Sequence, residues 1–246
     1  MIELSKNNMD FFNTSFYDSA SSEYSKQRYN VHPQSFIHFF FQTRLRNIIT
    51  LIKRNCSDRQ DQLLIEDGCA DGVVAQTVMN IYKESFSQGI GLDISPKMIE
   101  QARILNKNPR ITFNIKKELG EQMKADVFLA VGFVSPGIFD DEFRFIRNHI
   151  KDDGLIIVSL ASRNSPYAKL KLKDKEVTND YWTFRQYEEF LKKDFEIVDS
   201  IPYGLFIPKL WAIPFIAMIL QPLLEYILNL FPVLFHETLY VLKHKR

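Results

Sequence analysis

The chain has 246 residues, of which 46% are hydrophobic and 25% are charged, and its formal net charge is +1. This size and composition suit one α/β domain with a sizeable core. The near-zero net charge leaves no basic footprint for nucleic acid, so no nucleic-acid partner is predicted. Two cysteines, Cys56 and Cys69, are too few for a disulfide framework, and residues 1–18 lack the apolar core of a signal peptide. Both features predict a cytoplasmic protein.

The first half of the chain alternates helical and strand patterns. Pro33 begins an apolar-striped helix that runs to about residue 54. Ser95 and Pro96 are typical of a helix start, with serine as the cap and proline in the first turn. The predicted helices are 33–54, 73–82 and 96–106, and the predicted strands are 62–66, 89–92, 111–115 and 125–131.

The second half continues the alternation. A turn at 152–154 separates a helix from a buried strand, and Thr183 caps a later helix. The predicted helices are 139–150 and 184–193, and the predicted strands are 155–160, 195–201 and 237–242. Seven strands with interleaved helices predict a doubly wound, Rossmann-like α/β sheet with helices on both faces.

A glycine-rich loop between the first strand and its helix carries the strongest functional signal. The apolar run 63–65 ends in Glu66 and Asp67 and breaks into Gly68-Cys69-Ala70-Asp71-Gly72. The second strand ends in Asp93, 21 residues after Gly72. Glycines let backbone approach a nucleoside, and an acid at the end of the next strand accepts from ribose hydroxyls. Acids around the loop would repel a pyrophosphate, and the glycine spacing differs from G-x-G-x-x-G, so a Rossmann dehydrogenase is disfavoured.

These residues, with the segment 91–102 (GLDISPKMIEQA), resemble the class I S-adenosylmethionine-dependent methyltransferases. The resemblance implies S-adenosylmethionine as cofactor and a last strand inserted antiparallel beside the fifth. It places Glu66 on the family's first acid and Asp93 on its ribose-binding acid. The cofactor-binding residues that it implies are Glu66, Gly68, Cys69, Ala70, Gly72, Asp93, Ile94, Met98, Glu118, Val131 and Gly132.

Two positions depart from the family pattern. Ala70 replaces the middle glycine, and Asp67 stands where an apolar residue is usual. Alanine costs little unless the position needs a positive φ, so at most a weakened fit to the ligand is expected. Glu118 is the only candidate for the acid that contacts the adenine amino group, and the alternative is a surface charge run. Val131 and Gly132 are expected to wall the adenine or the methyl path, or alternatively to form a plain turn at the strand end.

Catalytic residues leave a weaker signal than the cofactor loop. No general base, nucleophile arrangement or metal-ligand spacing is evident, and no metal is predicted. His236, where the last strand begins, and Tyr29 are the weak candidates. Tyr24, Arg28 and Tyr29 precede the first long helix, where relatives often fold a segment over the cofactor.

The segment 206–235 is unusually apolar. Between residues 210 and 235 the only charge is Glu225, and Pro214, Pro222 and Pro232 divide the run. Prolines and an internal charge disfavour a membrane span. We predict two short helices, 214–221 and 223–230, inserted before the last strand. They contact an apolar acceptor or a membrane surface, or alternatively complete the core or form a homodimer interface.

The sequence therefore predicts an N-terminal helical cap, 1–60, and a methyltransferase domain, 61–246, that carries the insertion. The predicted acceptor is an apolar or lipid-linked small molecule, such as a lipid, a quinone or a lipopolysaccharide or glycan intermediate. The alternatives are a soluble sugar or other small metabolite, and a non-catalytic dimeric binding protein with a degenerate pocket. The predicted location is the cytoplasm, with a peripheral contact at the inner face of the membrane.

Overall fold

A computed structural model describes residues 23–30, 32–56, 59–132, 136–170 and 181–245. The described helices are α1 (Tyr24–Arg28), α2 (Phe36–Cys56), α3 (Val73–Ile81), α4 (Pro96–Leu105), α5 (Phe139–His149), α6 (Pro166–Leu170), α7 (Phe184–Asp194) and α8 (Pro214–Leu228). The described strands are β1 (Gln62–Asp67), β2 (Phe86–Asp93), β3 (Ile111–Ile115), β4 (Ala125–Ala130), β5 (Ile150–Ala161), β6 (Phe195–Leu205) and β7 (Phe235–His244). None of the described helices is long and apolar enough to cross a membrane.

The described strands form one seven-stranded sheet in the order β3-β2-β1-β4-β5-β7-β6. Strands β1 to β5 are parallel, and β7 is antiparallel to both β5 and β6. This confirms the doubly wound sheet and the antiparallel last strand beside the fifth. The chain reverses its winding at β1, so the carboxyl ends of β1, β2 and β4 meet at the switch point where such sheets bind ligands.

Buried side chains cover both faces of the sheet. One cluster joins the apolar stripe of α2 with residues of α3 and α4, and the other joins residues of α5 and α7. Alternation along β1 divides its side chains between these faces, so that Leu64 faces α2 and α3 while Ile65 faces α5. The long helix in the predicted cap therefore packs against the sheet. The division of the chain at residue 60 stays a prediction.

Two boundary predictions are wrong. The predicted turn at 152–154 lies inside β5, whose register on β4 jumps from Ile150 opposite Ala125 to Leu155 opposite Val127, so the strand absorbs these residues as a bulge. The predicted pair of apolar helices is a single helix, α8, with Pro222 inside it. Polar side chains fasten α8 on both sides of that proline: Gln221 donates to the carbonyl of Leu205, and Glu225 accepts from the Leu205 N–H at 3.0 Å.

The insertion lies at the same edge of the sheet as the ends of the parallel strands. Because β7 runs against β5, its start is level with the end of β5, and Glu237 pairs with Ala161. Strand β6 ends at Leu205, opposite Phe235. The segment between β6 and β7 is therefore anchored at the carboxyl edge, beside the loops that follow β1, β2 and β4.

Candidate functional site

The loop after β1 is built from alternating left-handed residues. Gly68, Ala70 and Gly72 have φ values of +73°, +49° and +82°. Gly72 caps α3, and its N–H donates to the Cys69 carbonyl at 2.8 Å. The sequence predicts that alanine costs little at position 70 unless that position needs a positive φ. The position does need a positive φ, so the Ala70 methyl group strains the backbone there.

Asp93 is held at the end of β2 by backbone donors. One carboxylate oxygen accepts from the Ala70 N–H at 2.9 Å, and the other accepts from the Ser95 N–H at 2.9 Å. Each oxygen keeps acceptor capacity for a further donor. Burial raises the pKa of Asp93, although the N–H groups of Ser95 and Ala70 oppose that shift. A fixed carboxylate of this kind is suited to a pair of vicinal hydroxyls.

These two elements open onto a cleft of about 640 Å³, a volume that includes the solvent at its open mouth. Six of the residues predicted from sequence line the cleft: Gly68, Ala70, Asp93, Ile94, Val131 and Gly132. Four further residues line it: Tyr24, Asp67, Lys116 and Glu142. The carboxyl ends of β1, β2 and β4 thus contribute to one site, as their positions in the sequence predict.

The N-terminal helix α1 is tied across the glycine loop. Asp71 accepts from the backbone N–H of Ser25 at 3.0 Å and from its hydroxyl at 2.6 Å. Tyr24 lies in the wall of the cleft, and the Arg28 guanidinium stacks 4.0 Å from its ring centroid. The segment that precedes the first long helix therefore closes one side of the cleft.

Glu66 lies beneath the loop, outside the cleft wall. It is 1% exposed, and its carboxylate accepts from the Ala75 N–H in the first turn of α3 at 2.8 Å. Burial raises its pKa to about 8. A cationic ligand in the cleft would favour the ionised form of this group.

An ion triad that the sequence does not predict forms part of the cleft. Alternation along β1 points Asp67 away from Glu66 and toward α5. There Lys116 Nζ lies 2.5 Å from Asp67 Oδ2 and 2.6 Å from Glu142 Oε2. Burial and then the neighbouring Glu142 raise the pKa of Asp67, whereas the two carboxylates hold the pKa of Lys116 above its ordinary value against the effect of burial. Asp67, which stands where the family usually has an apolar residue, is therefore paired with Lys116.

A second buried ion pair supports the end of β4. Arg44 of α2 donates to both oxygens of Glu237 at 3.0 and 3.1 Å and to the Tyr203 hydroxyl at 3.0 Å. Although burial opposes ionisation, Arg44 keeps the pKa of Glu237 below its ordinary value. Gly132 has a φ of +89°, and a Cβ there would lie 2.6 Å from Arg44 Nη1. Glycine at 132 is therefore favoured by the backbone conformation, and a side chain there would displace the Arg44 guanidinium.

The remaining predicted residues lie near the cleft without lining it. Cys69 and Met98 are buried at 3% and 0% exposure, and the Met98 N–H donates to the Ser95 cap at 3.2 Å. Glu118 is exposed and lines a neighbouring hollow that shares Ile94 and Lys116 with the cleft. The cofactor roles assigned to these residues stay predictions.

The two weak catalytic candidates are packed among aromatic rings. Tyr29 lies edge-on to Phe41 at 5.4 Å between centroids, and burial raises its pKa, which disfavours it as a base at neutral pH. His236 Nδ1 lies 3.2 Å from the Ser165 hydroxyl, and its ring centroid is 4.6 Å from that of Tyr167. His236 is therefore fixed in orientation, next to Glu237 on β7.

Sequence reasoning missed Lys116, Glu142, Arg44 and Glu237 as parts of the site. The available signal was a charge in an otherwise apolar context: Arg44 interrupts the stripe of α2, and Glu237 begins an apolar strand. Pairing across 193 residues, as between Arg44 and Glu237, is invisible to local patterns.

No protein-family profile matches the sequence, and no curated protein matches it. Solved structures do match. The plantazolicin methyltransferase BpumL in complex with S-adenosylhomocysteine has a TM-score of 0.59 at 16% identity, with 96% of this chain and 93% of that chain covered. S-adenosylmethionine-dependent methyltransferases from Geobacter sulfurreducens and Thiobacillus denitrificans, both in complex with S-adenosylhomocysteine, have TM-scores of 0.56 and 0.55 at 13% and 12% identity. They cover 93% and 91% of this chain and 98% of their own. The chain therefore has the fold of the class I S-adenosylmethionine-dependent methyltransferases.

Proposed function

We propose that this protein is an S-adenosylmethionine-dependent methyltransferase. The observation that carries the proposal is Asp93, which two backbone N–H groups hold at the edge of the cleft beside a loop of three left-handed residues. The Asp93 carboxylate suits the ribose of a nucleoside. The backbone of the loop can lie close to the part of the ligand that extends from that ribose. Solved methyltransferases of the same fold that hold S-adenosylhomocysteine support the assignment.

The charges around the cleft favour a cationic ligand over a dinucleotide. Asp71 and Asp93 lie at or beside the loop and Glu66 lies beneath it, whereas the charge of Asp67 is paired with Lys116. A pyrophosphate would meet these acids, whereas a ligand with sulfonium and ammonium groups complements them. We assign the ribose hydroxyls to Asp93, the methionine part to the backbone of 68–72, and the ammonium group to Glu66, directly or through water.

When bound, S-adenosylmethionine supplies an electrophilic methyl group on a sulfonium. The work left to the protein is alignment and the exclusion of water. Tyr24 and the Ser25–Asp71 contacts close one side of the cleft, and Val131 and Gly132 close another. We propose that these groups set the approach of the acceptor, and that His236 is not required as a base.

We further propose an apolar or lipid-linked acceptor, met at the cytoplasmic face of a membrane. Side-chain contacts lead from the cleft toward the insertion. Gly132 adjoins Arg44, which pairs with Glu237, and the neighbouring His236 packs on Tyr167. The Tyr167 ring in turn contacts Phe206 at 5.2 Å between centroids, where the apolar segment begins. These contacts connect the wall of the cleft to the start of an apolar segment, which suits an acceptor with a hydrophobic body.

Calorimetry with S-adenosylhomocysteine and with NAD tests the proposal. We expect S-adenosylhomocysteine to bind and NAD not to bind. Asp93→Asn should weaken the binding about tenfold or more, because hydrogen bonds to charged groups contribute about 1.5–3 kcal/mol. The matched control is Asp126→Asn, since Asp126 also accepts a backbone N–H, from Leu63 at 2.8 Å, but at the opposite edge of the sheet. Equal affinity in wild type and Asp93→Asn would remove Asp93 from the site, and absence of binding in wild type would refute the proposed cofactor.

A further inference from the structure

In helix α8 the polar side chains face the protein and the apolar side chains face outward, which reverses the usual arrangement. Its buried residues are Ala217 and Gln221, and Glu225 also points inward to the N–H of Leu205. Surface helices of soluble domains normally bury apolar side chains and expose polar ones. Here the polar side chains bind the protein, and the apolar side chains face outward.

The outward side chains lie on α8 and the turns that flank it, and we call this set the α8 ridge. Twelve of the eighteen large hydrophobic side chains that are exposed in the described part of the chain lie in it. They are Ile213, Phe215, Ile216, Met218, Ile219, Leu220, Leu223, Tyr226, Ile227, Leu230, Phe231 and Val233. The exposed fractions of these side chains run from 38% to 81%, so the ridge exposes on the order of 1,000 Å². The largest patch on a typical monomer is about 300–600 Å².

The shape of the ridge distinguishes its partner. At 100° per residue, the exposed positions from Phe215 to Ile227 span an arc of about 200°, and the inward positions span about 100°. A second copy of the chain would cover one side of such a convex surface and leave the rest in water. Lipid can surround it on all exposed sides. Polar groups turned to protein and apolar groups turned outward are also the order found in a bilayer.

The charges around the ridge agree with a membrane. Lys209, just before it, is exposed, and so is Arg46 of α2, whose guanidinium lies 5.8 Å from the Phe39 ring that contacts Trp211. Glu225, the only acid in 206–235, is turned inward. Basic groups beside an apolar surface are attracted to anionic headgroups. By contrast, Lys243 and Lys245 lie at and beyond the far end of β7, about 25–30 Å along the strand, so they do not flank the ridge. Arg246 lies outside the described residues.

We propose that the α8 ridge docks the protein on an anionic membrane surface and lies in its interface. A helix of 15 residues is about 22 Å long, shorter than the hydrocarbon core of about 30 Å. The ridge is anchored at the carboxyl edge of the sheet, the edge that also holds the cleft. Docking therefore turns the edge of the sheet that holds the cleft toward the bilayer. Delivery of the acceptor from the bilayer rests on the proposed methyl transfer, whereas the docking itself does not.

Flotation with vesicles of phosphatidylcholine and phosphatidylglycerol at three to one tests the proposal on the full chain. Wild type should float with the vesicles. Ile219→Asp, at 59% exposure on the ridge, should bind them at least tenfold more weakly. Ile104→Asp is the matched control, because Ile104 on α4 is 55% exposed away from the ridge, and this variant should float as wild type does. Thermal unfolding checks that each variant is folded, and light scattering measures its oligomeric state.

Three results would overturn the docking proposal: wild type that stays in the aqueous fraction, Ile219→Asp that floats as wild type does, or a non-floating dimer that Ile219→Asp separates. The last result would assign the ridge to a second copy of the chain. S-adenosylhomocysteine calorimetry on the same samples separates the two proposals. Flotation without cofactor binding would remove the proposed function and leave the docking surface intact.

Discussion

Ala70 is an alanine in a conformation that favours glycine, and its replacement by glycine should stabilise the protein. Its φ is +49°, in the left-handed region where a Cβ clashes with the following carbonyl oxygen at a cost of about 1–2 kcal/mol. Replacing a glycine by alanine at such a position lowers the free energy of unfolding by more than about 0.4–1 kcal/mol, after the entropy of the unfolded chain is included. Ala70→Gly should therefore raise the free energy of unfolding by about 1 kcal/mol. For a chain of this length that corresponds to an increase of about 2–4 °C in Tm.

The same substitution five residues later should have the opposite sign. Ala75 is fully buried in the helical conformation of α3. Ala75→Gly should lower stability by about 1 kcal/mol or more, because glycine in a helix loses more conformational entropy and a buried methyl group disappears. Urea denaturation followed by circular dichroism measures both changes. A loss of stability in Ala70→Gly similar to that in Ala75→Gly would refute the left-handed conformation of residue 70.

Three further predictions concern charged and titratable groups. Lys116→Met should lower the free energy of unfolding by about 2–3 kcal/mol at neutral pH, less than the usual 3–5 kcal/mol for a broken buried pair because its side chain is 20% exposed. Urea denaturation should show a much smaller effect of Lys117→Met at the exposed neighbour. The pKa of Glu66 is about 8 in the folded protein and about 4.3 in the unfolded chain. The stability that protonated Glu66 contributes is therefore complete at low pH and is lost as pH rises through 8. Glu66→Gln should flatten the fall in Tm between pH 5 and 8, and an unchanged slope would contradict the burial argument. His236→Ala should lower methyl transfer only modestly in a turnover assay, and a loss of about 10²–10⁴-fold would make His236 a general base.

Local patterns were sufficient for the strands, most helices and the glycine-rich loop after β1. Three signals follow from the order of residues within a short stretch of the chain. They are the period-two alternation, the Ser95–Pro96 cap and the spacing from Gly72 to Asp93. The same reasoning misplaced the breaks. Pro222 was expected to end a helix, but tertiary hydrogen bonds from Gln221 and Glu225 to Leu205 hold the helix through it.

The sequence by itself determined the class of sheet, the ribose-binding position of Asp93 as a prediction, and an unusually apolar segment before the last strand. Only the tertiary structure decided how the charges in the interior are paired and which way α8 faces. Lys116 meets Asp67 and Glu142 across three separate elements, and Arg44 meets Glu237 from the other end of the chain. Hydropathy alone favours burial of the apolar side of α8, yet Gln221 and Glu225 find partners at the end of β6 and turn that side outward. The physical reason is common to both cases: a buried polar group is costly until it is paired, and its partner is chosen by the fold and not by its neighbours in the chain.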